Sequence, residues 1–378
     1  MMRLKGMFVF WMTLFIVGCN PSHHLYEVSE VPYGKERELE KQSIPVEFFG
    51  ETKEIQTLDM NGEAFNTVGG WYDNESILYI TDTVDDSIIN RYHIFDGKKE
   101  QFYSTTSQIL AIKPNQDHSL FLLHTSNSRN SAALVVIDSE GKEVYSWNTD
   151  SYDLEYVWNP YKKEQLFITS FEKDWSFQTF LMDPLAGNIE PTDVKEPFVQ
   201  WLDATTVGYM KWEADEPSVE APLFSYDLQT GEETLLIGNI ISFSTYQDLL
   251  LTVQIQNESE SYSFYRFSKP DSKDKLFEYS FPLLTNYSSW FIPYHTYIES
   301  DQQFLTFRPY STGEYDTYTD LFELTSYSLI DGKETTILQD VNSYPIIFSE
   351  NGDFGLYGYQ YEMIIDKRNK TVKQLINY

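Results

Sequence analysis

Phe224-Ser225-Tyr226-Asp227-Leu228-Gln229-Thr230-Gly231-Glu232 reads as an apolar strand running into a tight reversal. Its bulky residues favour extended backbone, Gly231 supplies the positive φ that a hairpin turn needs, and Asp227 bonds the turn backbone. The unit recurs along the chain. It stands as Tyr92-His93-Ile94-Phe95-Asp96-Gly97-Lys98, as Val135-Val136-Ile137-Asp138-Ser139-Glu140-Gly141-Lys142 and as Phe180-Leu181-Met182-Asp183. It returns as Phe264-Tyr265-Arg266-Phe267-Ser268, Tyr327-Ser328-Leu329-Ile330-Asp331-Gly332-Lys333 and Met363-Ile364-Ile365-Asp366. Turn chemistry accounts for this series of aspartates, so it predicts neither a metal ladder nor a catalytic row.

Each hairpin follows a second recurring unit: an apolar residue, a polar turn and a short apolar strand. Trp71-Tyr72-Asp73-Asn74 leads to Ile77-Leu78-Tyr79-Ile80, and Ile112-Lys113-Pro114-Asn115 leads to Leu120-Phe121-Leu122-Leu123. Further copies begin at Trp158, Trp201, Phe243, Ile298 and Phe348, giving spacings of 41, 46, 43, 42, 55 and 50 residues. Four short strands per repeat of this length is the pattern of a propeller blade. The fold class is therefore all-β: a β-propeller of seven four-stranded blades, with six as the alternative if one copy makes no full blade. Aromatic residues make up 16% of the sequence, which suits strands buried on both faces between neighbouring blades. Residues 54–60 are expected to add a strand that ties the ends of the ring.

The first residues predict an address. Arg3 and Lys5 precede an apolar stretch over residues 7–17 and the small residue Gly18. This is the layout of a secretory signal over residues 1–18, and eleven apolar residues are too few to span about 30 Å of hydrocarbon. Ile16-Val17-Gly18-Cys19 resembles the lipobox of bacterial lipoproteins. The resemblance implies cleavage before Cys19, the sole cysteine, whose thiol would carry a diacylglycerol with palmitate-type chains. The membrane would then be a partner through lipidated Cys19, and the chain would sit on the extracytoplasmic face of the cell membrane. With one cysteine there is no intramolecular disulfide. Residues 19–45 are polar and without apolar period, as in a flexible tether, and His23-His24 within them reads as solvated. The propeller is expected over residues 46–378.

Ile16-Val17-Gly18-Cys19 together with hairpins such as Tyr226-Asp227-Leu228-Gln229-Thr230-Gly231-Glu232 resembles the YqgU-like β-propeller lipoproteins of Bacillus-type bacteria. The resemblance implies a surface location, brings no activity with it, and carries over no functional residue beyond Cys19. That family is described as six-bladed, against the repeat count of seven.

Removing Arg3 and Lys5 with the signal leaves 25 of 27 basic residues against 58 acidic ones, a net charge of −33. Nucleic acid and anionic polymers are poor partners for such a body. With blade strands lettered A to D from the axis outward, loops B–C and D–A share one face and turns A–B and C–D the other. The B–C loops hold Asp82, Asp85, Asp86, Glu172, Asp174, Glu213, Asp215, Glu216, Glu220, Glu258, Glu260, Glu314, Asp316 and Asp320. The C–D turns hold Lys98, Lys99, Lys142, Lys269, Lys273, Lys275, Lys333, Lys367, Arg368 and Lys370. Charge is expected to be sorted between the faces, with a protein or cell-envelope polymer meeting the acidic one.

The two long spacings place insertions on that acidic face. Residues 281–296 carry Tyr287, Trp290, Tyr294 and His295, and residues 309–323 carry Tyr310, Tyr315 and Tyr318. Aromatics on loops over a rigid scaffold suit a sugar ring or a peptide. The candidate ligand-binding residues are thus Trp290, Tyr294, His295, Tyr310, Tyr315 and Tyr318; the competing reading is that the insertions bury their own aromatics. Asp82-Thr83-Val84-Asp85-Asp86 lacks the spacing and glycine of an EF-hand, so no metal site is expected. No G-x-S-x-G or H-E-x-x-H occurs, and the histidines of the body form no spaced ligand set. The expected function is a non-catalytic binding or scaffolding module, expected to be monomeric and without cofactors. A carbohydrate-binding or carbohydrate-active propeller and a calcium-dependent adhesion module are the alternatives.

Overall fold

The computed structural model describes residues 53–128, 131–213, 218–255, 261–272, 274–287 and 289–378. Cys19, His23, His24 and the boundary at 45/46 lie outside the described residues, as do Asp215, Glu216, Glu258, Glu260 and Lys273.

From Ala64 onward the chain lays down one four-stranded antiparallel sheet after another, each from one continuous stretch. Blade 1 comprises Ala64–Trp71, Ser76–Asp82, Ser87–His93 and Lys99–Thr105. Blade 2 comprises Gln108–Pro114, Leu120–Ser128, Ser131–Asp138 and Glu143–Thr149. Asp153–Trp158, Leu166–Phe171, Phe177–Asp183 and Asn188–Pro191 form blade 3. Gln200–Trp201, Thr206–Met210, Ala221–Asp227 and Glu233–Ile240 form blade 4. In blade 5 the strands are Ser242–Tyr246, Leu249–Ile255, Tyr262–Ser268 and Lys275–Pro282. In blade 6 they are His295–Ile298, Gln303–Pro309, Phe322–Ser328 and Glu334–Val341. Ile346–Phe348, Phe354–Tyr357, Met363–Asp366 and Thr371–Gln374 complete blade 7. The described residues thus hold seven four-stranded sheets, and all seven residues that mark the repeat fall in a strand A.

The reason these stretches form blades lies in strand B. Successive side chains of a strand point to opposite faces, so an unbroken apolar run feeds two cores. Ile77 and Tyr79 of blade 1 enter one cluster while Leu78 and Ile80 enter another with blade 2. Phe121 and Leu123 of blade 2 join that second cluster, and Leu120 and Leu122 turn to blade 3. The pattern repeats through clusters that join blades 3 and 4 at Phe167 and Trp201, and 4 and 5 at Leu223 and Leu250. Phe267 and Phe304 meet between blades 5 and 6, and Leu305 and Ile365 between blades 6 and 7. A last cluster joins Leu356 and Ile364 of blade 7 to Val68 and Trp71 of blade 1, which closes the ring.

Ring closure has a second fastening. Leu58–Asp59 pairs in parallel with Ile376–Asn377, so residues 54–60 do tie the two ends of the ring. Leu58, Met60, Leu375 and Ile376 are all fully buried in the closing cluster. Hydrophobic burial of this kind contributes about 1.5–3 kcal/mol per large side chain. Three tryptophans that end a strand A also latch neighbouring blades. The indole Nε1 of Trp71 donates to Ile347 O at 3.0 Å, that of Trp158 to Lys113 O at 3.0 Å and that of Trp201 to Val157 O at 3.3 Å. Each acceptor is the last residue but one of the preceding strand A. In blades 2 and 5 the residue that ends strand A is Pro114 or Tyr246, not the repeat marks Ile112 and Phe243.

Candidate functional site

The two insertions meet on the B–C and D–A face. Leu284–Asn286 pairs antiparallel with Ser289–Phe291 and parallel with Gly313–Glu314, a three-stranded sheet built from both. Leu283 and Leu284 are buried beneath it. Phe291 stacks on Tyr315 with ring centroids 3.8 Å apart and planes 12° from parallel, and Tyr318 packs on Phe322 at 5.4 Å. The aromatics of the insertions therefore first hold the insertions together.

The six candidate residues divide accordingly. Trp290 is half-buried, and its Nε1 is buried with no hydrogen-bond partner among the described residues. His295 opens strand A of blade 6, with Nε2 3.2 Å from Ser244 Oγ and Nδ1 3.0 Å from Pro293 O. Its ring packs against Phe304 and Tyr265 in the blade 5–blade 6 core, and burial pushes its pKa down, opposed by the bond to Pro293. The imidazole is thus committed to the blade 5–blade 6 core. Tyr294 and Tyr310 are the exposed pair, at 42% and 44%. Tyr294 N–H donates to Ser343 Oγ at 3.1 Å. Tyr310 Oη lies 3.3 Å from Asp340 Oδ1 and accepts the Asp340 N–H, while its own N–H donates to Tyr318 Oη at 2.9 Å.

Blade 7 adds tyrosines that sequence reasoning missed. Tyr344 and Tyr359 stand 4.9 Å apart, and burial followed by the nearness of Tyr359, Tyr294 and Tyr344 pushes the Tyr315 phenol up. Tyr344 lies in the D–A connection and Tyr359 in the B–C loop of blade 7, so the rule that placed the insertions on this face places these tyrosines there too. His124 is buried against Tyr156, and burial pushes its pKa down.

Charge sorting needs a correction. Lysines do line the C–D turns, but the A–B turns on the same face carry Asp73, Asp117, Asp203, Asp248, Glu299, Asp301 and Glu350. Two of them, Glu299 and Glu350, line a cavity of about 360 Å³ where the ends of strand A converge. Its floor is formed by residues that end strand A, among them Trp71, Trp158, Tyr246 and Phe348. Gln116 Nε2 of blade 2 donates to Glu299 Oε2 of blade 6 at 3.0 Å across this opening. Burial, with repulsion from Asp248 and Glu350, pushes the Glu299 carboxyl up against that bond.

The loop Asp82-Thr83-Val84-Asp85-Asp86 is held by turn bonds. Asp82 accepts from Ser87 Oγ at 2.5 Å and Asn66 Nδ2 at 2.8 Å, and Thr83 Oγ1 accepts from the N–H groups of Asp85 and Asp86. Among the described residues, no group of three or more His, Cys, Asp or Glu side chains is placed to hold a metal ion.

The same architecture occurs in known proteins. The chain is 28% identical over 326 residues to the uncharacterized lipoprotein YqgU of Bacillus subtilis, covering 86% of this chain and 88% of that protein. Its structure superposes on that of the uncharacterized protein lmo1340 of Listeria monocytogenes with a TM-score of 0.78 and 25% identity, over 86% of this chain and 98% of the other. The β-propeller domain of the Trilobed protease from Pyrococcus furiosus shares the fold at a TM-score of 0.52 and 12% identity, over 84% of this chain and 98% of that one. A family model described as the YqgU-like 6-bladed beta propeller domain matches residues 93–358. That span encloses five of the seven sheets whole and cuts through the first and the last, so the family's count of six and the seven sheets seen here differ. The chain belongs to the YqgU-like β-propeller family.

Proposed function

We propose that this protein is a lipid-anchored, extracytoplasmic propeller that docks a protein or cell-envelope polymer, without catalysis, on the face where its two insertions meet. The observation that carries the reading is the insertion sheet itself. Two loops from different parts of the chain are paired by backbone and stacked through Phe291 and Tyr315, leaving Tyr294, Tyr310 and Tyr359 outward. Loops tied to a rigid scaffold lose little entropy on binding, which favours recognition. The anchor rests on Ile16-Val17-Gly18-Cys19 and on the Bacillus subtilis relative, which is named a lipoprotein.

The test is photo-crosslinking in the native cell from a benzophenone side chain placed at Tyr310 or Tyr359, with Lys142 on the opposite face as control. The reading expects a discrete adduct from the first two positions and none from the third. Equal labelling from all three, or none from any, would refute it. The anchor is tested separately: Cys19→Ser should abolish acyl labelling and move the protein from membrane to medium.

A further inference from the structure

We propose a carbohydrate-binding site on blade 3, at the same end of the ring as the insertions but formed by other residues, which takes the apolar face of a neutral pyranose ring. Its centre is Trp175 in the B–C loop. Around it stand Tyr152, from the connection between blades 2 and 3, and Phe198, from the connection between blades 3 and 4.

The backbone makes Trp175 unusual. Its φ is +66°, in the left-handed region. A bulky residue there is an outlier, and leaving the right-handed region costs about 1–2 kcal/mol. Burial of the side chain would offset that cost, but Trp175 is 62% exposed. The turn is nevertheless well fixed. Glu172 N–H donates to Ser176 O at 2.8 Å, Trp175 N–H to Glu172 O at 2.9 Å, and Asp174 Oδ1 accepts from both Ser176 N and Oγ. The fold thus holds an aromatic ring in solvent at a strained position, which is where functional strain is found.

Trp175 does not stand alone. Its ring centroid is 5.9 Å from Tyr152, with planes at 79°, and 5.9 Å from the buried Phe171. Phe171 in turn lies 5.8 Å from Phe198. Tyr152 is 51% and Phe198 65% exposed, so three large rings share one open patch. Contiguous exposed apolar surface of this kind marks an interaction site. The connection that carries Phe198 is pinned by Thr169 Oγ1 donating to Pro197 O at 2.7 Å. Beside Phe198 opens a recess of about 180 Å³ lined also by Glu155, Thr169 and Gln200. The Glu155 carboxylate has no hydrogen-bond partner among the described residues, and burial with help from Asp153 pushes its pKa up.

Charge selects among the occupants of such a patch. The segments that carry the three rings hold Asp153, Glu172, Asp174 and Glu196 against Lys173 and Lys195, and Glu155 lines the recess, an acidic balance that disfavours an anionic polymer or an anionic bilayer. A neutral sugar escapes that repulsion. Its C–H face stacks on the indole by dispersion and desolvation, while its hydroxyls find acceptors in Glu155 and Asp174. This proposal is independent of the docking role of the insertions.

The experiment titrates the whole protein with an N-acetylglucosamine hexamer, a cellulose hexamer and neutral phosphatidylcholine vesicles, reading tryptophan fluorescence and heat. One of the two neutral oligosaccharides should bind with little dependence on salt. Trp175→Ala and Phe198→Ala should each weaken it at least tenfold, while Tyr310→Ala leaves it unchanged. Trp175→Gly separates binding from packing. It relieves the strained φ, so it should lose binding with a melting temperature no lower than the parent. Absence of binding by both oligosaccharides, equal binding by Trp175→Ala, binding of vesicles alone, or a melting temperature lowered by more than about 4 °C in Trp175→Gly would overturn the proposal.

Discussion

Replacing Gly141 with alanine tests whether the blades are locked by backbone contact as well as by apolar packing. Gly141 sits in the C–D turn of blade 2 at φ +78°, and a Cβ built there would lie 2.2 Å from the carbonyl oxygen of Phe102 in strand D of blade 1. Gly187 occupies the corresponding turn of blade 3 at φ +66°, with nothing within 4 Å of its Cβ. The two positions share a backbone conformation and differ in the neighbouring blade. Alanine at either pays about 1–2 kcal/mol for the left-handed conformation. At 141 the methyl must also displace main chain rather than a flexible side chain, and overpacking of that kind costs about 1–3 kcal/mol more. Gly187→Ala is therefore expected to cost about 1 kcal/mol and Gly141→Ala about 3 kcal/mol. Urea unfolding of both variants beside the parent, followed by tryptophan fluorescence, measures the difference. Hydrogen exchange should show the extra loss around Phe102 and its strand. Equal losses in the two variants would refute the reasoning, because the contact between blades 1 and 2 would then have room to give.

Two further predictions concern charges. Glu323 is 4% exposed and accepts from Arg308 Nη2 at 2.5 Å and Thr336 Oγ1 at 3.0 Å, so Arg308→Met leaves a buried carboxylate without its cation. The loss should be about 3 kcal/mol, the low end for a broken buried pair because Arg308 is partly exposed, and the added change Glu323→Gln should recover part of it. Denaturant titration of the single and double variants checks this, and a neutral single variant would refute it. Burial opposes ionisation of Asp117, but its bonds to Ser119 and Lys163 win and hold its carboxyl down at about 2. A depressed folded-state pKa adds stability above the unfolded value of about 3.9, and that stability drains away as pH falls toward the folded value. Asp117→Asn should therefore be less stable than the parent at pH 7, with melting curves that converge between about pH 4 and pH 2.

How far the chain could be read depended on whether a feature is repeated. The hairpin at Tyr226–Asp227 and the marks at Trp71, Trp158 and Trp201 recur seven times, and repetition averages out local ambiguity. What does not repeat was harder. In blades 2 and 5 the apolar residues Ile112 and Phe243 stand two and three positions before the end of strand A, and alternation alone cannot say which apolar residue closes a strand. The axial acids were missed because Asp248, Glu299 and Glu350 belong to turns that are unremarkable singly. They become a group only when the ring brings its A–B turns to one opening. Of the six insertion candidates, Tyr315, Tyr318 and His295 turned out to be packing residues, since an aromatic side chain looks the same in sequence whether it meets a ligand or a neighbour. Trp175 was hidden by its company: Glu172 and Asp174 gave the loop an acidic character, and a positive φ leaves no mark on a tryptophan in sequence.

The point at which the chain enters the ring bears on which face a partner meets. Lys53 Nζ lies 2.7 Å from Glu75 in the A–B turn of blade 1 and 5.1 Å above the ring of Phe95 in its C–D turn. From there Gln56 N–H donates to Ile94 O at 2.7 Å, and the chain runs on into the tie with Ile376. Entry is therefore at the A–B and C–D end. Tyr310, Tyr359 and Trp175 belong to loops at the other end. Leu58 and Ile376 pair the start of the ring to its end, so the entering strand is held by the cluster that joins blade 7 to blade 1 as well as by its bond to Ile94.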